Sequence, residues 1–294
     1  MGCGDTLLTL SANAKINLTL DILGTRADGY HEVAMIMQEI SLHDTLSMGK
    51  INQGISLTIA IEGQQGTLPA DESNLCWKAA ALVQKEYNLQ EGVEIHLIKR
   101  IPMAAGLAGG SADAAAVLKG MNHLFRLGMT EARLCELGAR LGSDIPFCIM
   151  GGTMLATGRG EVLTRLPGFP RLSVVLAKPP VGVSTAWAYK TYDAGYDGSH
   201  PDNEAMLAAI HEGDAHKAAG LLCNVLEGVT ETEHPVIADY KRLMLEHGAM
   251  ASMMSGSGPT VFGLVREKQQ AWHLADTLKK YDCEAGVFVA EILG

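Results

Sequence analysis

The sequence predicts an α+β protein with two domains, on three observations. Apolar side chains alternate with polar ones from Leu8 to Ile22, which is the period of a half-buried strand. A glycine-rich segment, IPMAAGLAGGSADAAAVLKG (Ile101–Gly120), separates a strand pattern from a helix pattern. After a Pro/Gly connector, strands and helices mix in an order typical of a split-βαβ sandwich rather than a doubly wound sheet. We therefore expect an N-terminal domain over 1–160 and a C-terminal domain over 161–294.

The first strand pattern carries polar side chains on its second face. Even-numbered positions from Leu8 to Ile22 are all apolar, whereas Asn13, Lys15 and Asn17 project side by side from the opposite face. An exposed edge strand explains such a face. Asparagine is depleted in strands, however, so a binding face is the alternative interpretation.

Alternating and helical patterns fill the rest of the predicted N-terminal domain. We expect strands at 33–37, 55–61 and 93–97 and helices at 72–87, 111–125 and 131–141. Thr130 fits an N-cap and Gly142 a C-terminal stop of the last helix. In the SDIP stretch that follows, the residue before Pro146 is driven out of helical geometry. The sequence therefore predicts that Asp144 is presented from a turn.

The second domain is expected after a hairpin in the segment GGTMLATGRGEVLTRLPGFP. Its patterns predict a strand at 172–177, two helices, strands at 249–253 and 261–265, a helix at 267–281 and a strand at 287–292. A second glycine turn, SGSGPT (Ser255–Thr260), separates the two middle strands. Taken alone, it is explained by a plain hairpin turn.

The charge balance restricts the partners. The 294 residues include 33 acidic and 23 basic side chains, a formal net charge of −10. Nonspecific nucleic-acid and anionic-membrane binding need a basic surface, so we expect neither as a partner. The six cysteines are scattered without C-x-x-C spacing, which predicts no metal site. Because the sequence has neither a signal-peptide pattern nor a bilayer-spanning stretch, we expect the protein in the cytoplasm.

The glycine-rich segment has the composition of a phosphate loop. A helix that begins at a glycine turn directs backbone N–H groups and its positive dipole end at one point, an arrangement that binds phosphate. Gly106, Gly109 and Gly110 let the backbone close around an anion, and Ser111 offers a hydroxyl. The segment lacks the G-K-[ST] and dinucleotide-binding spacings, and the chain contains neither H-R-D nor D-F-G. An ordinary glycine turn with close helix packing is the alternative.

Four ordered motifs carry a family resemblance. PMAAGLAGGSADAA (Pro102–Ala115) resembles the P-x-x-x-G-L-G-x-x-S-A-A motif of the GHMP kinase superfamily, which includes galactokinase, homoserine, mevalonate and phosphomevalonate kinases. With ANAKINLTLDILGTRADGYHEVAMIMQEISLHDTL, LGSDIPFC and SGSGPTVFGL, the chain resembles over essentially its whole length the branch that serves the non-mevalonate isoprenoid pathway. This resemblance implies an N-terminal ribosomal-protein-S5-domain-2-like domain and a C-terminal ferredoxin-like domain. Ala108 and Ala112 depart from the motif, which often has glycine and a second serine there.

The resemblance implies an ATP-dependent kinase, with Mg²⁺ as the accompanying ion. Its acceptor would be the 2-hydroxyl of 4-diphosphocytidyl-2-C-methyl-D-erythritol. Asp144 matches the family's catalytic aspartate and would accept the proton of that hydroxyl. Lys15 matches the catalytic lysine, whose charge would keep Asp144 ionised and stabilise the developing negative charge. Taken alone, a turn aspartate and a solvated strand lysine explain these two residues as well.

The resemblance also implies the ligand contacts. The ATP phosphates would be held by Pro102, Met103, Ala104, Ala105, Gly106, Leu107, Ala108, Gly109, Gly110, Ser111 and Ala112. Asn74 and Lys99 match positions around adenine and ribose, although an N-cap explains Asn74 nearly as well. The acceptor would be bound by Asn17, Tyr30, His31, Thr185 and Tyr189. In that set, His31 would read the cytosine edge between stacking tyrosines, whereas a core tyrosine and a surface histidine are the alternative.

Two other functions are considered. Another small-molecule kinase of the superfamily, of the homoserine or mevalonate type, would have no use for a cytidine-binding D-G-Y-H turn. A non-catalytic nucleotide-binding sensor on the same fold would not need both Lys15 and Asp144. In each case the partners are small molecules, and we expect a monomer or a weak homodimer.

Overall fold

The structure is a computed structural model that describes residues 7–64, 66–195 and 198–294. The chain forms two α+β units, each of several segments. Unit 1 comprises the segment up to Ala14, His43–Ile101 and Ala108–Met150, and unit 2 comprises Lys15–Leu42, Pro102–Leu107 and Gly151–Gly294. This division differs from the predicted continuous domains 1–160 and 161–294, because the two first strands are long enough to contribute residues to both units.

Those two strands are β1 (Leu8–Thr25) and β2 (His31–Ile51), and each is longer than its sequence pattern predicts. Unit 1 adds strands β3 (Ile55–Ile61) and β4 (Gly92–Lys99) and helices α1 (Leu75–Tyr87), α2 (Gly109–Leu124), α3 (Glu131–Ala139) and α4 (Ile145–Met150). β4 lies between its neighbours, antiparallel to β2 with Leu97 opposite Leu46, and parallel to β3 with Ile95 opposite Leu57. The sheet of unit 1 is therefore mixed.

The core of unit 1 lies between this sheet and the apolar faces of α1 and α2. Val83 on α1, Val117 and Leu118 on α2, and Leu97 on β4 are all 2% exposed or less. Full burial of one such side chain contributes roughly 1.5–3 kcal/mol to folding. The first turn of α2, which lies within the glycine-rich segment, is thus part of a well-packed helix.

The predicted ends of α3 are confirmed at its start but not at its end, because the helix ends at Ala139 and not at Leu141 before Gly142. The Thr130 side chain accepts a hydrogen bond from Arg133 N at 3.2 Å, which confirms the predicted N-cap of α3. The prediction that the residue before Pro146 leaves helical geometry is wrong, because α4 begins at that residue, Ile145. Pro146 lies in its first turn, where a missing N–H and a fixed φ are tolerated.

Unit 2 contains a second sheet and the other helices of the described residues. Its strands are β5 (Thr153–Thr157), β6 (Val162–Arg165), β7 (Ser173–Lys178), β8 (Cys223–Asn224), β9 (Ala251–Met254), β10 (Val261–Val265) and β11 (Gly286–Glu291). Its helices are α5 (Thr185–Asp193), α6 (Asn203–Glu212), α7 (Ala215–Ala219), α8 (Glu227–Glu233), α9 (Val236–Glu246) and α10 (Lys268–Tyr281). β5 and β6 form the predicted hairpin, and β5 also pairs with β2.

The second sheet has the antiparallel strand order β11-β7-β10-β9, which is the order of a ferredoxin-like sheet. Val175 in β7 lies opposite Gly263 in β10 and Val289 in β11. Four consecutive residues of β7, Val174–Ala177, are fully buried, so both faces of this central strand are covered. α9 and α10 pack on the sheet, and the predicted C-terminal fold class is confirmed.

The segment between β7 and β9 differs most from the prediction. Two helices are expected there, whereas the described residues contain five, α5 to α9, together with the short strand β8. Gly213 ends α6 in a left-handed conformation, and Asp214 then caps α7. β8 pairs in parallel with β1, with Cys223 opposite Thr19. The periodic patterns do not show the break between α6 and α7, because only the two capping residues Gly213 and Asp214 separate these short helices.

Two further features concern the described residues only. Cys76, Cys135, Cys148, Cys223 and Cys283 are free thiols, and Cys3 lies outside the described part of the chain. No helix there combines the length and the apolar character needed to span a bilayer.

Candidate active site

The polar face of β1 is buried in unit 2. Lys15, Asn17, Thr19 and Asp21 are between 0 and 7% exposed, so this face is not the solvent-facing side of an edge strand. An ammonium or amide loses water on burial and must find hydrogen-bond partners within the protein. The buried polar row therefore has a specific set of contacts.

Lys15 is held by two neutral acceptors. Its Nζ donates to Asn17 Oδ1 at 2.6 Å and to the carbonyl oxygen of Gly106 at 3.3 Å, and its backbone N donates to Leu107 O at 3.2 Å. An amide and a carbonyl orient the ammonium without neutralising it. Its positive charge is therefore available to an anionic group that approaches the Gly106 segment.

Asn17 is fully buried and acts on Lys15 in this structure. Its Oδ1 accepts from Lys15, and its Nδ2 donates to Met35 Sδ at 3.3 Å, which fixes the orientation of the amide. The sequence predicts that Asn17 contacts the acceptor directly. That contact stays a prediction, and the observed contacts make Asn17 the support of Lys15.

The first half of the phosphate loop, Pro102–Leu107, packs against the SGSGPT turn within unit 2. Gly106 has φ +73°, and a Cβ there would stand 2.1 Å from Ser255 O. Ser255 Oγ donates to Gly106 O at 3.0 Å. The SGSGPT turn therefore backs the loop, and only glycine fits at position 106.

Asn224 holds the SGSGPT turn from within unit 2. Its Nδ2 donates to Met254 O at 2.9 Å and to Gly256 O at 2.8 Å, while its Oδ1 accepts from Leu226 N at 3.0 Å. Three of the four hydrogen-bonding positions of this 7%-exposed amide are used. The sequence does not indicate this role of Asn224, because the stretch CNVL matches no motif.

Gly106→Ala is expected to weaken ATP binding at least about tenfold and to destabilise the protein, because the new methyl would overlap Ser255 O and the backbone would have to move. Gly128→Ala is the matched control. Gly128 has a similar φ of +66° but open space around its Cβ position, so this variant reports the conformational strain alone, about 1–2 kcal/mol. Thermal unfolding and ATP titration measure both variants, and equal losses would contradict the packing argument.

The second half of the loop, Ala108–Ala112, opens helix α2 in unit 1. Ala108 is the N-cap, has φ +56° and makes no side-chain capping bond. The first-turn N–H groups, which include those of Gly109 and Gly110, therefore have no side-chain cap. They form the positive end of the dipole of this 16-residue helix. This donor set fits a phosphate.

The two departures from the family motif have structural explanations. Ala108 adopts a left-handed conformation, which glycine adopts without strain and alanine at a cost of roughly 1–2 kcal/mol. Ala112 is 1% exposed, and its N–H donates to Ala108 O at 2.9 Å. A hydroxyl at position 112 would be buried within the helix packing.

The two residues predicted near adenine and ribose have other partners in unit 1. Asn74 is the N-cap of α1; its Oδ1 accepts from Cys76 N at 2.8 Å and its Nδ2 donates to Pro69 O at 2.8 Å. Lys99 is 3% exposed and paired with the carboxylates of Asp44 and Asp113. The capping interpretation of Asn74 is therefore observed, whereas nucleotide contacts of Asn74 and Lys99 stay predictions.

Asp144 lies in the turn immediately before α4, so its predicted presentation from a turn is observed. Its backbone carbonyl accepts from Cys148 N at 3.1 Å, which ties the residue to the start of the helix. The side chain is only partly buried. A short helix that packs through Phe147 and Ile149 thus fixes the backbone of Asp144.

The predicted cytidine-binding residues form one cluster in unit 2. The rings of His31 and Tyr189 lie 4.8 Å apart between centroids and are tilted by 37°. His31 Nε2 lies 2.9 Å from Asp193 Oδ1. Because a carboxylate only accepts, Nε2 carries hydrogen and Nδ1 is left for another partner. Asp193, which sequence patterns do not single out, therefore sets the hydrogen-bonding pattern of His31.

Two further predicted residues flank this cluster. Tyr30 is 55% exposed, and the Arg159 guanidinium lies 4.9 Å from its ring centroid. Thr185 begins α5, with its Oγ1 3.0 Å from Ser257 Oγ in the SGSGPT turn. Since Thr185 and Tyr189 are four residues apart on α5, they share one helix face.

The comparisons with known proteins agree with this fold. The GHMP kinases N terminal domain matches residues 74–152, which contain the phosphate loop, and the GHMP kinases C terminal domain matches residues 206–282. The chain belongs to the GHMP kinase family and is a kinase.

Three individual proteins of known name are also similar to this chain. The chain is 49% identical over 280 residues to the 4-diphosphocytidyl-2-C-methyl-D-erythritol kinase of Acetivibrio thermocellus, covering 95% of this chain and 98% of the relative. A crystal structure of a 4-(cytidine 5'-diphospho)-2C-methyl-D-erythritol kinase is similar with a TM-score of 0.82 and 31% identity, over 98% of this chain and 100% of that chain. A homoserine kinase from Cytophaga hutchinsonii has a TM-score of 0.77 at 19% identity over 100% and 96% of the two chains, and shows the shared fold.

Proposed function

We propose that this kinase transfers the γ-phosphoryl group of ATP to the 2-hydroxyl of 4-diphosphocytidyl-2-C-methyl-D-erythritol, giving the 2-phosphate and ADP in the non-mevalonate isoprenoid pathway. The observation that carries the proposal is the 49% identity to a kinase named for this acceptor, over 95% of the chain. The His31–Tyr189 cluster supports it, because a ring pair with a fixed hydrogen-bonding nitrogen suits a pyrimidine base. A homoserine or mevalonate substrate is supported by fold alone.

In this reaction the acceptor oxygen forms a bond to the γ-phosphorus, and the bond from that phosphorus to the ADP oxygen breaks. The hydroxyl proton passes to the carboxylate of Asp144. The ammonium of Lys15 stabilises the negative charge that spreads over the transferring group. The backbone N–H groups at the start of α2 hold the remaining phosphates, and most of the catalysis is positioning and charge stabilisation.

Magnesium accompanies ATP in this proposal. The described residues contain no group of three His, Cys, Asp or Glu side chains placed to hold a metal ion. Magnesium in kinases is bound largely by nucleotide phosphates and water, with one or two protein carboxylates. A dedicated protein cage does not fit these residues, so we assign the ion to the nucleotide and no catalytic step to it.

The first experiment measures ADP release by the purified chain with four acceptors. They are 4-diphosphocytidyl-2-C-methyl-D-erythritol, the corresponding polyol phosphate without cytidine, homoserine and mevalonate. We expect turnover only with the first, because the base supplies binding energy that positions the hydroxyl. Turnover with homoserine or mevalonate would contradict the proposed acceptor, and ATP binding without turnover on any of the four would favour the sensor.

Asp193→Ala is expected to raise the KM for the cytidine acceptor about three- to tenfold and to leave kcat nearly unchanged, because His31 loses the partner that fixes its ring. Steady-state kinetics at saturating ATP measure the effect. Lys190→Ala, an exposed change on the same helix, is the control and should behave as wild type. A loss in kcat without a change in KM would contradict a role in base binding.

We place the reaction in the cytoplasm, because ATP and cytidine diphosphates are supplied there. The free thiols of the described residues are typical of such a reducing compartment. We propose a monomer or a weak homodimer, which sedimentation at several protein concentrations tests.

A further inference from the structure

A buried charge cluster lies in unit 1 directly behind the first turn of α2. It consists of Lys99 on β4, Asp44 on β2 and Asp113 on α2, which are each 3% exposed or less. Lys99 Nζ donates to Asp44 Oδ2 and, at 2.8 Å, to Asp113 Oδ2. A Cβ on Gly109 would stand 2.8 Å from that same Nζ. The charge cluster therefore touches the backbone whose N–H groups we assign to phosphate binding.

The two carboxyl groups of the charge cluster are not equivalent. Asp44 accepts from Lys99 through Oδ2 and from the backbone N–H groups of Arg100 (2.5 Å) and Ile101 (2.8 Å) through Oδ1. Asp113 accepts from Lys99 through Oδ2, but its Oδ1 is buried and has no hydrogen-bond partner among the described residues. Hydrogen bonds donated to a carboxylate stabilise its ionised form. Asp44 is therefore the group that stays ionised, and Asp113 is the group that more readily holds a proton.

The charge count leads to the same assignment. One ammonium and two carboxylates would leave a net charge of −1 in a site closed to water, which is costly. Among the described residues, the Cys76 thiol on α1 is a further titratable group beside the charge cluster, and burial raises its pKa well above the ordinary value, so it stays neutral. One proton on a carboxyl makes the whole charge cluster neutral.

The pKa directions are consistent with this count. Burial raises the pKa of Asp113 to about 8; the Lys99 charge opposes the shift and the Asp44 carboxylate adds to it. Burial alone would lower the pKa of Lys99, but the Asp113 and Asp44 carboxylates outweigh it and raise that pKa. Lys99 thus stays charged throughout the range in which Asp113 titrates.

We propose that Asp113 is a positioning residue that carries a proton at neutral pH, so that the charge behind the phosphate loop is neutral, and that its ionisation weakens ATP binding. An added negative charge would attract the first-turn N–H groups of α2 inward and repel the phosphates. This inference rests on the ATP site of the proposed function and is independent of the acceptor.

The test is the dissociation constant of Mg-ATP, measured by calorimetry without acceptor between pH 7.5 and 9.5, where the ATP phosphates are already ionised. For wild type we expect the dissociation constant to rise roughly three- to tenfold over this range. Asp113→Asn, which imitates the protonated acid, should bind with a nearly constant affinity close to that of wild type at pH 7.5. Asp276→Asn, the same change on an exposed helix face, should follow wild type.

Proton uptake gives a readout that does not depend on any variant. Calorimetry at pH 8.5 in two buffers of different ionisation enthalpy should show that wild type takes up part of a proton when Mg-ATP binds. A pH-independent affinity with no proton uptake overturns the proposal, as does an Asp113→Asn variant that binds ATP poorly at every pH. Failure of wild type to bind ATP at all would instead contradict the proposed function.

Discussion

Asp144→Asn is expected to lower kcat about 10²- to 10⁴-fold, because an amide of nearly the same size cannot accept the proton of the attacking hydroxyl. The backbone carbonyl of residue 144 keeps its bond from Cys148 N, so α4 should form normally. The dissociation constant of ATP should change by less than about twofold, since the carboxylate acts on the acceptor in the proposed reaction. Single-turnover kinetics at saturating acceptor measure the chemical step directly.

The control for Asp144 is again Asp276→Asn, which removes one exposed carboxylate and should leave kcat unchanged. A pH series adds a second check. If Asp144 is the proton acceptor, the residual rate of the Asn variant should rise with hydroxide concentration. A variant that retains more than a tenth of wild-type kcat at neutral pH would remove Asp144 from the role of general base.

Lys15→Met is expected to lower kcat about 10²- to 10³-fold, because it removes a preorganised positive charge from the transferring group while keeping a side chain of similar length. Stability should also fall, by about 1–3 kcal/mol, since the buried Asn17 Oδ1 loses its donor and Gly106 O keeps only the hydrogen bond from Ser255 Oγ. The loss in kcat/KM should come mainly from kcat, as for an interaction that is strongest in the transition state.

Lys178→Met separates these two effects. Lys178 lies in unit 2, is partly buried and donates to two carbonyl oxygens, those of Pro179 and Val181, both at 3.1 Å. Burial lowers the pKa of Lys178, which shows that its ammonium is partly desolvated. The methionine substitution would therefore remove hydrogen bonds of a desolvated ammonium here, as it does at Lys15. We expect it to lose stability and keep kcat. Equal kcat in the Lys15 and Lys178 variants would assign Lys15 a structural role only.

Several elements of this protein follow from local sequence rules. The alternation that begins at Leu8 predicts β1, the Thr130 cap predicts α3, and the glycine turn predicts a helix start within two residues of Gly109. Backbone conformation in a turn and side-chain periodicity depend on near neighbours, so they can be derived from short stretches. The family resemblance adds the candidate residues Lys15 and Asp144, whose roles are proposals to be tested by the variants above.

Other features depend on residues far apart in the chain. Asp193 contacts His31 across 162 positions, and Lys99 meets Asp44 across 55. Between β7 and β9 the patterns predict two helices where the described residues form α5 to α9, because capping residues such as Gly213 and Asp214 separate short helical patterns that periodicity merges.

The sequence by itself determined the α+β class, the strand–glycine turn–helix unit and the chemistry of the residues available to it. Tertiary structure alone decided which of those residues are buried and what they pair with. Asn17 became the support of Lys15, and Asp113 became a carboxyl with an unpaired oxygen. The physical reason is that desolvation and charge pairing depend on what surrounds a side chain in space. Periodicity records only which face of an element a side chain occupies.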